Sequence, residues 1–423
     1  MVPNGWKLTS LGEVCSGKLQ TGPFGSQLHA DEYTDEGIPV LMPKDIINFR
    51  ANTAIAAKIP EYRANDLKKH YLKSGDLLFS RRGDVTRFAL IEKDTPKSIC
   101  GTGCLKAIPN KAHSALFLSY FLQKDAVKKW LEQNAVGQTM PNMNTTILSE
   151  LPLMVASSRD EEDKIAKILS TWDKAIATTE RLIATSQQQK KALMQQLLTG
   201  KKRLVNPDTG MVFEGDWEDK HLNEFSQVIV SPVDKKSIEG ETPVALCNYT
   251  DVYYNMRITN KLSFMKATAT QAEIKKFTLQ IDDVVITKDS ETPGDIAIPA
   301  LVSEKLKGVV CGYHLAIVRT NKQLADGAFI NYLFSIPKTR YYFFTLATGA
   351  TRFGLSVDGI NKAHFSLPSI KEQQKIASVL TATDKEIELI EAKLAHLKEE
   401  KKALMQQLLT GKRRVKVDAK EVA

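Results

Sequence analysis

The chain has 423 residues, of which 43% are hydrophobic and 25% are charged, and this composition is ordinary for a globular protein of two or three domains. The formal net charge is +9, which favours a polyanionic partner over a basic protein without one. No apolar run approaches the ~18 residues that cross a membrane. Five scattered cysteines are too few for a disulfide framework, so we expect reduced thiols and a cytoplasmic protein.

Residues 1–155 alternate short apolar segments with turn residues, which predicts a domain of mixed α and β structure. The clearest strands are "GIPVLMP" (37–43), "DLLFS" (76–80) and "FALIEK" (88–93). Ser114 can cap a single helix over "ALFLSYFLQKDAVKKWLEQ".

Residues 156–205 carry apolar side chains at alternating intervals of four and three, with no Pro or Gly before Gly200. This heptad stripe predicts a long helix that packs against another helix, and Gly200 suits its C-terminus. The candidate interface residues of this helix are Ile165, Leu169, Trp172, Ile176, Leu193 and Leu197.

Residues 206–368 repeat the mixed pattern of the first domain. Strands are predicted at "TPVALC" (242–247), "DDVVITK" (282–288), "DIAIPALV" (295–302) and "LAIVRT" (315–320). Asp326 can start a helix over "GAFINYLFSIPKTRYYFFTLA".

Residues 369–423 carry a second heptad stripe, with candidate interface residues Ile376, Leu380, Ile387, Leu394, Leu404 and Leu408. Its end, "KKALMQQLLTGKRR" (401–414), matches "KKALMQQLLTGKKR" (190–203) at all but one position. Lys190 and Lys401 fall at equivalent stripe positions, where they either fix the register or lie at splayed helix ends.

The repeat extends upstream, because Trp6 matches Trp217, "FLSYFL" resembles "FINYLF" and "GQT" resembles "GAT". We therefore predict an α+β fold: two pseudo-symmetric mixed α/β domains, 1–155 and 206–368, separated by a pair of long antiparallel coiled-coil helices, 156–205 and 369–423. A run of ~36 helical residues is a rod of roughly 54 Å. The alternative is that each helix packs on its own globular half.

Catalytic motifs are missing from the sequence. There is no Gly-x4-Gly-Lys-Ser/Thr phosphate loop, no Asn/Asp-Pro-Pro-aromatic motif of amino-methyltransferases and no nuclease carboxylate cluster. The dispersed histidines suggest neither a metal site nor a Ser-His-Asp arrangement. These absences favour a binding protein without catalytic residues.

Over essentially its full length, the chain resembles the specificity subunit of type I restriction-modification systems. The most specific features are "GDLLFSRRG" (75–83), "GQTMPNMNTTILSELPL" (137–153), "QQKIASVLTATDKEIELIEAKL" (373–394) and the doubled "KKALMQQLLTG". The resemblance implies a non-catalytic subunit with two target recognition domains held apart by conserved helices. It also implies two modification (methyltransferase) subunits and restriction (nuclease-translocase) subunits as partners. S-adenosylmethionine, ATP and Mg are then expected on those partners, with no cofactor on this chain.

Two similar but divergent domains on a rigid helix pair should read a bipartite, asymmetric DNA target. Loop residues that can pair with bases or phosphates are the candidate readers. In the first half these are Lys44, Arg81, Arg82, Arg87, Gln138, Asn142 and Asn144. In the second half they are Asn248, Tyr249, Lys288, Tyr313, His314, Thr351, Arg352 and Phe353. For each residue the alternative is a solvated loop side chain, and Tyr249 and Phe353 also fit packing roles.

Two other classes of protein fit parts of the pattern. A fused restriction-modification enzyme would methylate DNA as a purified single chain. A coiled-coil scaffold or RNA-binding adaptor would prefer RNA, or bind neither nucleic acid, when duplex DNA and RNA compete.

Overall fold

The computed structural model describes residues 2–24, 27–137 and 139–417. The chain forms two compact units, Met1–Glu180 with Ala392–Ala423 (unit 1) and Arg181–Glu391 (unit 2). Each unit contains one mixed α/β domain and segments of both long helices. In the described part of the chain, no helix is long and apolar enough to cross a membrane.

The first half of the chain contains short strands and helices followed by a long helix. The strands are β1 (Lys7–Ser10), β2 (Leu19–Thr21), β3 (Ile38–Leu41), β4 (Ile46–Ile47), β5 (Arg50–Ala51), β6 (Lys58–Ile59), β7 (Leu77–Ser80), β8 (Phe88–Leu90), β9 (Ile99–Cys100), β10 (Cys104–Ala107) and β11 (Pro152–Val155). The helices are α1 (Leu11–Val14), α2 (Glu61–Asp66), α3 (Ala115–Leu122), α4 (Asp125–Asn134), α5 (Thr145–Ser149) and α6 (Arg159–Leu197).

The second half follows the same plan. Its strands are β12 (Glu218–His221), β13 (Ser226–Val230), β14 (Thr242–Cys247), β15 (Arg257–Ile258), β16 (Met265–Ala269), β17 (Val284–Thr287), β18 (Asp289–Ser290), β19 (Pro299–Val302), β20 (Val309–Cys311), β21 (Leu315–Thr320), β22 (Phe353–Gly354) and β23 (His364–Leu367). Its helices are α7 (Leu222–Phe225), α8 (Tyr249–Tyr253), α9 (Gln271–Phe277), α10 (Gly327–Ser335), α11 (Pro337–Leu346), α12 (Val357–Asn361) and α13 (Ile370–Leu408).

The two domains share one sheet topology, which confirms the predicted pseudo-symmetric fold. The largest sheet has the order β2-β10-β7-β8-β5-β4 in unit 1 and β13-β21-β17-β19-β15 in unit 2. A smaller sheet has the order β6-β3-β9 in unit 1 and β16-β14-β20 in unit 2, and in each the middle strand has one antiparallel and one parallel neighbour. Strands β7 and β17 are fully buried because their side chains face apolar layers on both sides of the sheet.

The long helices run unbroken, as the heptad stripes predict, and they pair antiparallel within each unit. In unit 1, Lys401 donates to Asp173 at 2.5 Å and Lys398 lies 2.7 Å from Glu180, so the partners advance in opposite directions. In unit 2, Gln187 donates to Glu391 at 3.4 Å, while Lys190 pairs with Asp384.

The candidate interface residues of the helices lie at two kinds of place. Near the start of each helix they enter a domain core, since Ile165 and Leu169 are buried with Leu408 in unit 1, and Ile376 and Leu380 with Leu197 in unit 2. The others are half-buried or, for Ile387, buried, and Leu193 and Leu404 among them pack against a domain core. They are Trp172, Ile176, Leu193, Ile387, Leu394 and Leu404. The stripe therefore serves both a helix seam and a domain core.

The prediction of a single helix after Ser114 was wrong, because α3 ends at Leu122 and α4 starts at Asp125. Ser114 does cap α3, its hydroxyl accepting from the Phe117 amide at 3.4 Å. The second domain breaks at the same place, between α10 and α11. There Pro337 forces the residue before it into an extended conformation. In the first domain Lys124 adopts that conformation without a proline, and the turn allows α4 to bury Val127 and Leu131.

Candidate nucleic-acid interface

In unit 1, three loops meet where β7 ends, where β10 begins and where a hairpin links residues 136 and 142. The Arg81 amide donates to the Gly103 carbonyl at 2.8 Å, and the Met143 amide donates to the Arg81 carbonyl at 2.8 Å. We call residues 81–83, 101–103 and 136–143 corner 1, without the undescribed Gln138. The candidate reader Gln138 therefore lies outside the described residues.

Unit 2 builds the same frame from equivalent strands. The Lys288 amide donates to the His314 carbonyl at 2.9 Å, and the Leu355 amide donates to the Lys288 carbonyl at 3.0 Å. Thr348 and Gly354 close the matching hairpin with a pair of backbone hydrogen bonds. We call residues 288–290, 312–314 and 348–355 corner 2.

A glycine makes the hairpin turn in both corners. Gly137 has φ of +105° and Gly349 has φ of +143°, values that side-chain-bearing residues rarely adopt. A Cβ on Gly349 would lie 1.9 Å from the Arg352 carbonyl oxygen, and one on Gly137 would lie 2.8 Å from that of Met140. The sequence match between "GQT" and "GAT" thus marks one shared turn.

Corner 1 presents cations and an amide. Arg82 is exposed, and the half-buried Arg81 guanidinium lies 5.9 Å from the centroid of the Phe24 ring. In the described part of the chain, Arg81 Nε and Asn142 Oδ1 are buried and make no hydrogen bond.

The remaining candidates of the first half lie elsewhere. Lys44 and Arg87 line a neighbouring groove, where Arg87 Nε donates to Asp84 at 2.9 Å. The Asn144 side chain caps α5 by accepting from the Ile147 amide at 2.8 Å. This bond gives Asn144 a local structural role.

Corner 2 is centred on a carboxylate. Asp289 Oδ1 lies 2.7 Å from His314 Nδ1 and 3.0 Å from Arg352 Nη2, and Lys288 Nζ lies 3.6 Å from Asp289 Oδ2. The Lys288 ammonium also lies 5.7 Å from the centroid of the Tyr313 ring. Burial lowers the pKa of His314 and the charge of Arg352 acts in the same direction, while the Asp289 carboxylate opposes both.

Sequence reasoning missed Asp289, although it directly follows Lys288. The signal was available in "ITKDSE", because clustered cations at a buried strand end need an acid to neutralise them. The Asp289 side chain is only 10% exposed, whereas the Arg352 side chain is 56% exposed. Asp289 thus fixes the positions of the Lys288, His314 and Arg352 side chains, and Arg352 is the one of these that is most exposed to solvent.

The other candidates of the second half surround corner 2. The Tyr249 hydroxyl donates to Ser290 Oγ at 3.1 Å, and its ring stacks on Tyr253 at 5.5 Å. Phe353 is half-buried opposite Ser290, and Thr351 is exposed in the hairpin. Asn248 lies at the start of α8, where its backbone N–H donates to the Asp251 carboxylate at 2.8 Å.

The ends of the long helices dock into matching pockets that we call sockets. In socket 1 the Tyr120 hydroxyl and the Lys401 ammonium both donate to Asp173 at 2.5 Å. Arg414 makes a bidentate pair with Glu161 at 2.6 and 2.8 Å. These contacts fix the end of α13 against the start of α6.

Socket 2 repeats every contact with equivalent residues. Tyr332 donates to Asp384 at 2.5 Å, Lys190 pairs with the same carboxylate, and Arg203 makes a bidentate pair with Glu372 at 2.6 and 2.7 Å. The doubled "KKALMQQLLTG" is therefore explained by two identical docking sites. The alternative roles of Lys190 and Lys401 resolve in favour of a register contact.

The described residues contain no cluster of three or more His, Cys, Asp or Glu side chains that could hold a metal ion. The cysteines are free and buried, and burial raises the pKa of the Cys15 and Cys100 thiols to about 12. The fold and the two corners together define a protein with two binding domains that share one backbone frame and carry different side chains on it.

The comparisons with known proteins identify the family. The family model for the type I restriction modification DNA specificity domain matches residues 3–185 and 214–399, and the chain belongs to this family. Its role is DNA specificity in a type I restriction-modification system, and it is a non-catalytic recognition subunit.

Similar proteins span nearly the whole chain. One from Methanocaldococcus jannaschii, provisionally named the type I restriction enzyme MjaX specificity subunit, is 26% identical over 98% of this chain and 95% of its own length. The HsdS subunit from Thermoanaerobacter tengcongensis has a TM-score of 0.52 at 18% identity, covering 97% of this chain and 98% of its own. The type I S subunit from M. genitalium has a TM-score of 0.57 at 13% identity, covering 99% of each chain. The two structures support the fold alone.

Proposed function

We propose that the chain reads a bipartite, asymmetric DNA target, with corner 1 on one half-site and corner 2 on the other. The observation that carries this proposal is one backbone frame, present in both domains, that holds different side chains. Identical frames dock on DNA alike, while different donors and acceptors select different bases.

Corner 1 offers the chemistry for purine recognition in the major groove. Arginine pairs bidentately with guanine O6 and N7, and asparagine pairs with adenine N6 and N7. Arg82 is exposed, and Arg81 and Asn142 are half-buried beside it in the same corner, which supports assigning all three to base contacts. Lys44 and Arg87 we assign to phosphates, because they lie in the neighbouring groove.

Corner 2 uses donors that an acid holds in place. Asp289 restrains His314, Lys288 and Arg352, so little side-chain entropy is lost when they meet a base. Arg352 is the most exposed of these and is our principal candidate for base contact in the second half-site. Tyr249, Tyr313 and Phe353 then shape the surface around it.

The long helices set the length of the unread spacer between the half-sites. Each has 39 residues, or ~58 Å at ~1.5 Å per residue, and its two ends lie in domain cores. We assign residues 1–155 and 206–368 to the target recognition domains, and 156–205 and 369–423 to the spacer helices.

The chain acts in the cytoplasm with two modification (methyltransferase) subunits and with restriction subunits in defence against foreign DNA. It binds no cofactor itself, and S-adenosylmethionine, ATP and Mg belong to those partners. The candidate interface residues on the exposed length of the helices, such as Trp172 and Leu394, are then shared between the helix seam and the partner subunits.

Sequencing modified adenines in DNA from cells that carry this chain and its partners tests the proposal. We expect two different short sequences separated by a fixed unread spacer. The Arg81→Ala, Arg82→Ala variant should lose discrimination in the first half-site only. A continuous or palindromic target would contradict the proposal.

A further inference from the structure

A groove rich in lysine lies beside the helix pair of unit 1, outside corner 1. Its volume is about 560 Å³, and Asp125 is the acidic residue in its described lining. The lysines that line it are Lys124, Lys128, Lys398, Lys401, Lys402 and Lys412. We call it the lysine groove.

Internal ion pairs neutralise only part of this charge. Lys401 pairs with Asp173 at 2.5 Å, and Lys398 pairs with Glu180 at 2.7 Å. The remaining lysines have no carboxylate partner in the described part of the chain; they are Lys124, Lys128, Lys402 and Lys412. Uncompensated cations that share a groove repel each other, and an anionic ligand would relieve that repulsion.

Aromatic rings hold part of the groove in place. The Lys124 ammonium lies 4.4 Å from the centroid of the Phe121 ring, and the Lys128 ammonium lies 5.7 Å from that of Phe49. Phe49 itself has φ of +64° and lies 5.1 Å from Phe88. Burial lowers the pKa of Lys124, which shows that the fold removes water from this ammonium without supplying an acid.

The lysine groove continues toward the first-half candidates. Phe49 and Lys128 also line the neighbouring groove, of about 490 Å³, that contains Lys44 and Arg87. The two grooves therefore form one band of positive charge on unit 1, from Arg87 past Lys128 to the helix pair.

Unit 2 has a corresponding groove, of about 850 Å³, in which acidic residues offset most of the positive charge. Ile336 and Pro337 occupy the places of Lys124 and Asp125, and Gln187 occupies the place of Lys398. The cations that line this groove are Lys190, Lys191, Arg257 and Lys261, and the acidic residues are Asp384, Glu388 and Glu391. Both units thus have a groove at this place, and the excess of lysine over acid is larger in unit 1.

We propose that the lysine groove binds the sugar-phosphate backbone of duplex DNA adjoining the first half-site. The inference rests on the proposed function, since it adds a phosphate contact to a chain that reads DNA. Duplex DNA carries one negative charge per ~1.7 Å, so the unpaired lysines of the groove match it in sign. The groove contributes affinity that does not depend on base sequence.

The repeated segment supplies a matched pair of variants. Lys402→Gln with Lys412→Gln removes groove charges, and Lys191→Gln with Lys201→Gln changes the equivalent residues of unit 2. Binding of the full chain is measured across a salt series on a duplex with the mapped target and on a scrambled duplex. We expect the slope of log affinity against log salt to shrink by about 2 for the groove variant, since each phosphate contact contributes ~0.9. The loss should be equal on both duplexes, and the unit 2 variant should keep the wild-type slope.

An unchanged slope in the groove variant, or an equal loss in both variants, would overturn the proposal. So would a variant that keeps its slope and no longer assembles with the modification subunits, because the groove would then bind an acidic protein surface. The wild-type preference for target over scrambled duplex reports separately on the proposed function. If that preference is absent while the slope difference appears, the groove proposal stands and the half-site proposal fails.

Discussion

The sockets and the corners are repeated structures that diverged in opposite ways. The sockets keep their side chains, so that Tyr120, Asp173 and Lys401 have equivalents in Tyr332, Asp384 and Lys190. The corners keep their backbone hydrogen bonds and change nearly every side chain that faces outward. Constant side chains mark the joints of the molecule, and changed side chains on a constant frame mark its reading surfaces.

The largest effect should come from breaking socket 2. Asp384→Ala leaves Lys190 and the Tyr332 hydroxyl without their buried acceptor, since the Asp384 side chain is only 10% exposed. We expect a loss of about 3 kcal/mol in the free energy of unfolding. Asp173→Ala should cost only about 1 kcal/mol, because that side chain is 37% exposed and solvent screens its charge. Urea unfolding with Glu388→Ala as an exposed control makes the comparison, and equal losses in both sockets would contradict it.

Substitutions in the two corners should weaken DNA binding independently, each through its own half-site. Arg82→Ala should weaken binding through the first half-site, and Arg352→Ala through the second, each by about 1–3 kcal/mol. Duplexes with one half-site scrambled identify which half each residue reads. A variant that weakens both half-sites equally would show that its side chain contacts phosphates or supports the fold.

A buried histidine makes unit 1 sensitive to acid. Burial lowers the pKa of His70 to about 4, so the folded chain keeps this ring neutral while the unfolded chain protonates it below about 6.5. Above pH 6.5 the neutral ring does not reduce the free energy of unfolding. Below pH 6.5 the free energy of unfolding falls by about 1.4 kcal/mol per pH unit as the pH drops toward 4. His70→Gln should flatten this part of the profile of unfolding free energy against pH. The exposed His396→Gln should leave it unchanged, and parallel profiles for all three proteins would reject the assignment.

The smallest loss of stability should come from substituting the glycines that follow the two long helices. Gly200 and Gly411 have φ of +69° and +64°, where a Cβ costs about 1–2 kcal/mol. The added Cβ would lie 2.9 Å from the Trp6 ring at Gly411 and 3.3 Å from the Trp217 ring at Gly200. Gly411→Ala should therefore destabilise the chain more than Gly200→Ala does. Thermal unfolding of both variants tests the order, which a larger loss at Gly200 would reverse.

The sequence predicts what depends on local pattern. The heptad stripes predicted both long helices, and apolar runs such as "DLLFS" and "LAIVRT" predicted the central strands. The break at Pro337 could have been predicted from the proline, whereas the break at Lys124 depends on how α4 packs.

The sites were harder to predict because they combine distant segments. Arg82 and Asn142 meet only through strand pairing, and the role of Asp289 appears only when His314 and Arg352 reach it. The lysine groove joins Lys124 and Lys402, which lie far apart in the chain. No local pattern contains that information.

The central claim, that the helices set the separation of two independent readers, can be tested by lengthening them. The sequence alone suggests inserting four residues near Ala192, but that position lies inside the segment that docks in socket 2. Seven residues inserted after Glu180 and seven after Glu391 would keep the heptad phase and both sockets. Mapping modified adenines should then show unchanged half-sites with a spacer longer by ~3 base pairs, since seven residues add ~10.5 Å. An unchanged spacer, or altered half-site sequences, would contradict the account.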